Sequence, residues 1–431
     1  MKKIGIVGLW HLGCVLTSVW SKLGNKVIGF DFENEKIFNL NKGIAPIYEP
    51  NLEESIRNSL DNNLLKFTNN ITELSECDFI FITYDTPVDE NDISDTTILT
   101  KAINELKFIL KNNSTIIVSS QTPVGFSSNL EFIVKEANNS IELVVSPENL
   151  RLGEAIECYL KPGRIIIGSS NSIAKLNAHN LFSQLNTELL HMSIESAEVV
   201  KHGINSFLAT SIVFANQIAD ICEIKNANII DVIKGIKSDV RIGEKAYLVP
   251  GIGFSGGTLG RDLQVLIKTF ENQSFDTNFF AIVHEINNNR KYSIINKVNN
   301  YLNGIKDKNI GILGLTYKPG TSTLRRSLPL EIVHELINRG AKVKVYDPLA
   351  DYKELENQVI NFEITDNINQ VALEAHTIIL LTESIEYKSI DWNTIYSLMS
   401  EHLIFDTKFY LDSNKLINQG YKYITIGNGK F

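Results

Sequence analysis

Short apolar runs separated by polar, helix-like stretches dominate the first part of the chain. KIGIVGL, KVIGFDF, DFIFITY, STIIVSSQ, IELVVSP and RIIIGSS each hold a cluster of β-branched or other apolar residues. Continuous apolar runs of this length predict strands covered on both faces, and their alternation with helical segments predicts a mostly parallel, doubly wound sheet. From Ser193 to Lys297 the texture changes. The stretch SAEVVKHGINSFLATSIVFANQIADICEI keeps a 3.6-residue period with no turn signal and predicts one long buried helix. More helical segments follow, broken only by the glycine-rich PGIGFSGGTLG. NIGILGL, KVKVYDP, TIILLTE and LIFDTKF then restore the strand–helix alternation. The expected fold is α/β: a Rossmann-like domain over 1–192, a helical central domain over 193–297, and a second Rossmann-like domain over 298–431.

Composition narrows the function. A chain of 431 residues with 43% hydrophobic and 21% charged residues is a soluble, multidomain type. Its 41 basic and 50 acidic residues leave a net charge of −9, which argues against nucleic-acid or anionic-membrane partners. Cys14, Cys77, Cys158 and Cys222 have no metal or redox spacing and suit a reducing cytoplasm. The N-terminal MKKIGIVGLWHLGCVLTSVW resembles a leader only superficially. It contains His11 and three glycines, lacks a cleavage site, and leads straight into the strand-like VIGF. No uninterrupted apolar run reaches the ~20 residues of a membrane span.

The first strand ends in Gly8-Leu9-Trp10-His11-Leu12-Gly13, and Asp31 closes the second strand 23 residues after Gly8. That is the layout of a dinucleotide site: a tight turn, a helix N-terminus for the pyrophosphate, and an acid for the ribose hydroxyls. Trp10 stands where the middle glycine belongs, so a cofactor there is expected to sit differently. Asp31 favours NAD over NADP, because its charge opposes a 2′-phosphate.

A series of segments then appears in order: GIAPIYEPNL (43–52), Thr86-Pro87, SPENLRLGEAI (146–156), KPGRIIIG (161–168) and AEVVKHGINSFLAT (197–210). DVRIG (239–243), GIGFSGGTLGRDL (251–263), GLTYKPGTSTLRRS (314–327) and VYDP (345–348) complete it. With these the chain resembles the UDP-glucose/GDP-mannose dehydrogenase family over nearly its full length. The resemblance implies NAD on the N-terminal sheet, held by Gly8, Trp10, His11, Leu12, Gly13, Asp31, Thr86, Gln121 and Arg325. It implies a nucleotide-sugar held by Leu150, Arg151, Lys201, Asn205, Arg241, Phe254, Gly257 and Lys318. Lys201 and Asn205, four apart on the long helix, would polarise the reacting sugar oxygen. Asp262 would orient the catalytic water, and Glu148 would serve hydrolysis of an intermediate. Arg241 would reach across a subunit interface, which implies a homodimer or larger.

The resemblance fails where the family carries out its second oxidation. Thr258 occupies the position of the family's nucleophilic cysteine, and Gly260 and Arg261 replace the proline and lysine that follow. Gln121, in Ser120-Gln121-Thr122-Pro123, replaces a threonine that holds the hydrolytic water, and Leu152 replaces an acid. A threonine hydroxyl is a poor nucleophile without an adjacent base. The expectation is an NAD-dependent oxidoreductase of the cytoplasm making one hydride transfer on a nucleotide-diphosphate sugar. The alternatives are a four-electron 6-dehydrogenase, a redox-neutral epimerase, and a non-catalytic nucleotide-sugar binder.

Overall fold

The computed structural model describes residues 1–89, 94–148, 150–151, 153–271, 278–356 and 359–428. The chain divides into two compact units, Met1–Ile204 and Asn205–Phe431.

The first unit is built on an eight-stranded sheet. Its strands are β1 (Lys3–Val7), β2 (Lys26–Phe30), β3 (Leu65–Thr68), β4 (Phe79–Ile82), β5 (Thr115–Val118), β6 (Glu142–Val145), β7 (Ile165–Ser169) and β8 (Leu189–Met192). They lie in the order β3-β2-β1-β4-β5-β6-β7-β8, all parallel except the β6–β7 pair. The order reverses direction between β1 and β4, the crevice where open α/β sheets bind ligands. The central strands are fully buried, as FIFI, TIIV and ELVV illustrate, so continuous apolar runs mark them. Two strands have weaker runs. LKFT (β3) is one edge of the sheet, its apolar run broken by Lys66, and LLHM (β8) is the other, a half-buried edge whose sequence carries too little apolar contrast to stand out.

The second unit begins with helices and ends in a six-stranded parallel sheet. Four helices, Ile194–Lys225 (which enters from the first unit), Ile229–Ser238, Gly257–Phe270 and Phe279–Tyr301, precede the sheet. Asn228 and Asn278 start two of them by accepting first-turn N–H groups with their side chains. The strands are β9 (Asn309–Leu313), β10 (Lys342–Tyr346), β11 (Glu363–Ile364), β12 (Thr377–Leu380), β13 (Leu403–Asp406) and β14 (Lys422–Thr425), in the order β11-β10-β9-β12-β13-β14. The switch point falls between β9 and β12.

The long helix Ile194–Lys225 departs from its expected full burial. Phe207, Phe214 and Ile221, spaced by seven, are 68%, 45% and 54% exposed and form an apolar stripe. A helix that is apolar nearly all round cannot reveal from periodicity alone which face its own chain covers. The same helix has the length and hydropathy of a membrane span, yet 44% of its apolar window is buried inside the fold and it carries the buried Glu198, His202 and Asn205.

Candidate functional site

The turn after β1 is shaped by steric necessity. Gly8 has φ +100°, and a Cβ there would lie 2.7 Å from the backbone nitrogen of Tyr84. A Cβ on Gly13 would come within 1.9 Å of the Gly8 oxygen, so only glycine lets the first helix, His11–Lys22, approach the strand. Trp10 precedes this helix in an extended conformation (φ −98°, ψ −151°) and offers no side-chain cap, so the first helical N–H groups remain for a ligand. Its indole is 40% exposed and shares a small cavity with Glu33, Lys36, Ile44 and Pro46. The extended backbone explains why a bulky residue is tolerated at the middle position of the turn. Leu12 packs into the core beneath.

Asp31 is 2% exposed. Its carboxylate accepts the Leu9 N–H at 2.8 Å and the Glu33 N–H at 3.2 Å, and pairs with the Lys36 ammonium at 3.0 Å. Burial pulls the Lys36 pKa down, but the hydrogen bond and charge of Asp31, joined by Glu33, outweigh it and raise the pKa. The glycine cradle, the uncapped helix start and the acid at the end of β2 together fit a dinucleotide. Lys36 was not foreseen, although its place five residues after Asp31 was open to view.

The ends of β4, β5 and β6 carry the next group. Thr86 is buried and donates its hydroxyl to the Gln121 carbonyl at 2.9 Å. The long helix grips this region with one turn of side chains. Glu198 accepts the Thr122 hydroxyl at 3.0 Å and the Gly125 and Ser127 N–H groups at 2.6 and 3.0 Å. His202 donates to the Thr122 carbonyl at 2.8 Å, and the Lys201 ammonium donates to the Glu148 carbonyl at 2.5 Å. Lys201 thus reaches the backbone of Glu148, which the ordered motifs had also singled out. Glu198 and His202, which flank Lys201 in AEVVKHGIN, were missed because buried anchors look like any polar helix residue. Leu150 packs on the core, Arg151 is exposed, and Leu152 lies outside the described residues.

In the second unit, Asn205 and Asp262 meet directly. Asn205 is 7% and Asp262 0% exposed, and the Asn205 amide donates to the carboxylate. The glycine-rich segment before Asp262 is clamped at two points. The Asn287 side chain accepts the Phe254 N–H at 2.8 Å and donates to the Phe254 carbonyl at 3.0 Å. Ser255 donates to the Arg326 carbonyl at 3.0 Å and accepts the Leu328 N–H at 2.8 Å. Gly256, at φ +80°, lies against the Tyr317 ring, and Gly257 opens the helix Gly257–Phe270. Thr258 stands exposed in its first turn. Lys318 is half-buried on the loop after β9, and burial lowers its pKa; an anion beside it would raise the pKa again. Arg325 is exposed. Arg241 stands apart, exposed and held in a fork by Asp239 at 2.7 and 3.0 Å. Among the described residues no cluster of metal-ligating side chains occurs.

Comparison with known proteins fits this division. Residues 2–186 match the NAD binding domain of the UDP-glucose/GDP-mannose dehydrogenase family, 195–289 its central domain, and 311–413 its UDP binding domain. A UDP-glucose 6-dehydrogenase of Rickettsia felis is 33% identical over 99% of this chain and 96% of its own length. The chain belongs to the UDP-glucose/GDP-mannose dehydrogenase family. The UDP-glucose 6-dehydrogenase TuaD of Bacillus subtilis is 30% identical over 99% of this chain and 93% of its own. Among solved structures, a UDP-glucose dehydrogenase from Pyrobaculum islandicum superposes with a TM-score of 0.88 at 25% identity, covering 100% of this chain and 98% of that one. A UDP-D-ManNAc dehydrogenase from Pyrococcus horikoshii has the same fold, with a TM-score of 0.86 at 23% identity over the full length of both chains. As a member of this family the chain is an NAD-dependent dehydrogenase with a UDP-binding C-terminal domain.

Proposed function

We propose that this dehydrogenase oxidises a nucleotide-diphosphate hexose by a single hydride transfer to NAD. Bound NAD supplies the hydride acceptor, and the remaining steps fall to the chain. Lys201 stabilises the charge that grows on the sugar oxygen as its carbon loses hydride. Asn205 and Asp262 position that oxygen, and the hydroxyl proton leaves through the water that Asp262 orients. The half-buried Lys318 takes a substrate phosphate and Arg325 a cofactor phosphate. Glu148 and Arg151 border the sugar.

Thr258 carries this reading. It stands where the family places its thioester-forming cysteine, in a segment with no thiol. Asp262, one helical turn onward, is buried and accepts the Asn205 amide. Cys14, Cys77 and Cys222 are buried thiols whose burial disfavours the thiolate, raising the pKa of the first two to about 12 and that of Cys222 above its ordinary value. The apolar stripe of Phe207, Phe214 and Ile221, exposed on the long helix, supports a homodimer in which Arg241 reaches the neighbouring site, and the enzyme works in the cytoplasm.

The names of the relatives favour a second reading, a four-electron oxidation to the uronic acid. Counting NADH against UDP-glucose consumed, with the product mass read alongside, separates the two. One NADH and a loss of two mass units are expected; two NADH and a gain of fourteen would establish the second reading. Iodoacetamide should leave turnover intact.

A further inference from the structure

Glu49 is buried to 4% exposure, and its carboxylate takes three donors from two distant parts of the first unit. His11, the first residue of the helix that opens the cofactor turn, approaches with Nε2 at 2.9 Å. With a carboxylate as acceptor, that nitrogen carries the proton. The Gly153 and Ala155 N–H groups, more than a hundred residues onward, donate at 2.9 Å each. The Ala155 amide opens the short helix Ala155–Leu160 and the Gly153 amide lies just before its N-cap, Glu154, which itself makes no capping bond. Glu49 is thus the missing cap, supplied from the GIAPIYEPNL segment.

The residues between the two anchors are those assigned to the sugar. The Lys201 ammonium pins the Glu148 carbonyl at one end of the loop, and Glu49 pins Gly153 and Ala155 at the other. Leu150 and Arg151 lie between them. A carboxylate that served only as a helix cap would need the two amides alone. The third donor comes from the dinucleotide turn, so any shift of the helix start on closing around a pyrophosphate reaches the loop through one buried group. Buried charge makes the link stiff, because losing a donor leaves the carboxylate undersolvated.

We propose that Glu49 is a positioning residue that couples the two ligands: by holding Gly153 and Ala155 it registers the neighbouring Arg151 against the cofactor turn through His11, so that NAD and the nucleotide-sugar favour each other's binding. This rests on the assignment of NAD to the turn and of the sugar to the loop.

The test is calorimetry on the full chain, with UDP-glucose titrated in the absence and presence of saturating NAD. The readout is the ratio of the two dissociation constants, which cancels whatever a substitution does to either ligand alone. The unmodified protein should show a ratio of about fivefold or more. His11→Leu should bring it close to one, His11→Gln, which keeps a donor, should restore most of it, and Glu49→Gln should abolish it. The double variant His11→Leu/Glu49→Gln should match the singles, since both cut the same link. A ratio unchanged in His11→Leu, or a lowered melting temperature with the ratio intact, would overturn the coupling and reduce Glu49 to a packing role. A ratio of one in the unmodified protein would overturn it outright. Failure of NAD or UDP-glucose to bind the unmodified chain would instead overturn the functional reading, and the coupling with it.

Discussion

The two sheets begin alike and diverge within a few residues. In the first unit β1 ends at Gly8, whose Cβ would strike Tyr84; in the second β9 ends at Gly314, whose Cβ would lie 2.2 Å from the Thr382 oxygen. Each turn is tied to an aspartate that ends the neighbouring strand. Asp31 accepts the Leu9 N–H at 2.8 Å, and Asp347 accepts those of Leu315 and Thr316 at 2.7 and 3.0 Å. After that the paths part. The first turn enters its helix at His11 and presents a helix N-terminus to the crevice, whereas residues 314–327 wander as a loop before the helix Leu328–Asn338 begins. One scaffold thus offers a helix N-terminus, suited to a pyrophosphate, in one unit and a longer loop of side chains, Lys318 and Arg325 among them, in the other. Turn length decides which ligand a doubly wound sheet is suited to hold.

Both turns are proposed as binding devices and neither as the seat of chemistry. Lys201→Ala should therefore cause the largest loss, about 10²-fold or more in turnover, with NAD binding by calorimetry nearly intact. Normal turnover by the variant would move the chemistry elsewhere. The next effect separates the turns. Gly13→Ala, with its Cβ 1.9 Å from the Gly8 oxygen, should weaken NAD at least tenfold and spare UDP; Gly314→Ala should do the reverse. Loss of both ligands in either variant would mean that the units do not bind independently. The smallest effect concerns the acid after β2. Asp31 should favour NAD over NADP by about tenfold, or ~1.4 kcal/mol, a modest margin because Lys36 already neutralises part of its charge. Equal affinities would remove Asp31 from the role.

The alternation of apolar runs made both sheets legible, because strands buried on two faces need no alternation of their own. The edge strands LKFT and LLHM escaped notice, since each is four residues long and a polar residue, Lys66 or His191, breaks its apolar run. Among candidate site residues singled out by the ordered motifs, Asn205 bonds Asp262 and Lys201 reaches the Glu148 carbonyl, contacts that the motifs did not themselves specify. The groups that hold them did not announce themselves. Asn287, Glu198 and Glu49 act through backbone amides brought close only by the fold, and a side chain that bonds backbone leaves no complementary residue type to search for.

Trp10 gives the cofactor turn an optical identity. Of the three tryptophans, Trp20 is 0% and Trp392 4% exposed, while Trp10 is 40% exposed. A collisional quencher such as iodide or acrylamide therefore reaches one indole and leaves two dark to it. The accessible fraction of the emission reports on the turn alone, and its loss on adding NAD would mark closure there without a label, a mutation or turnover.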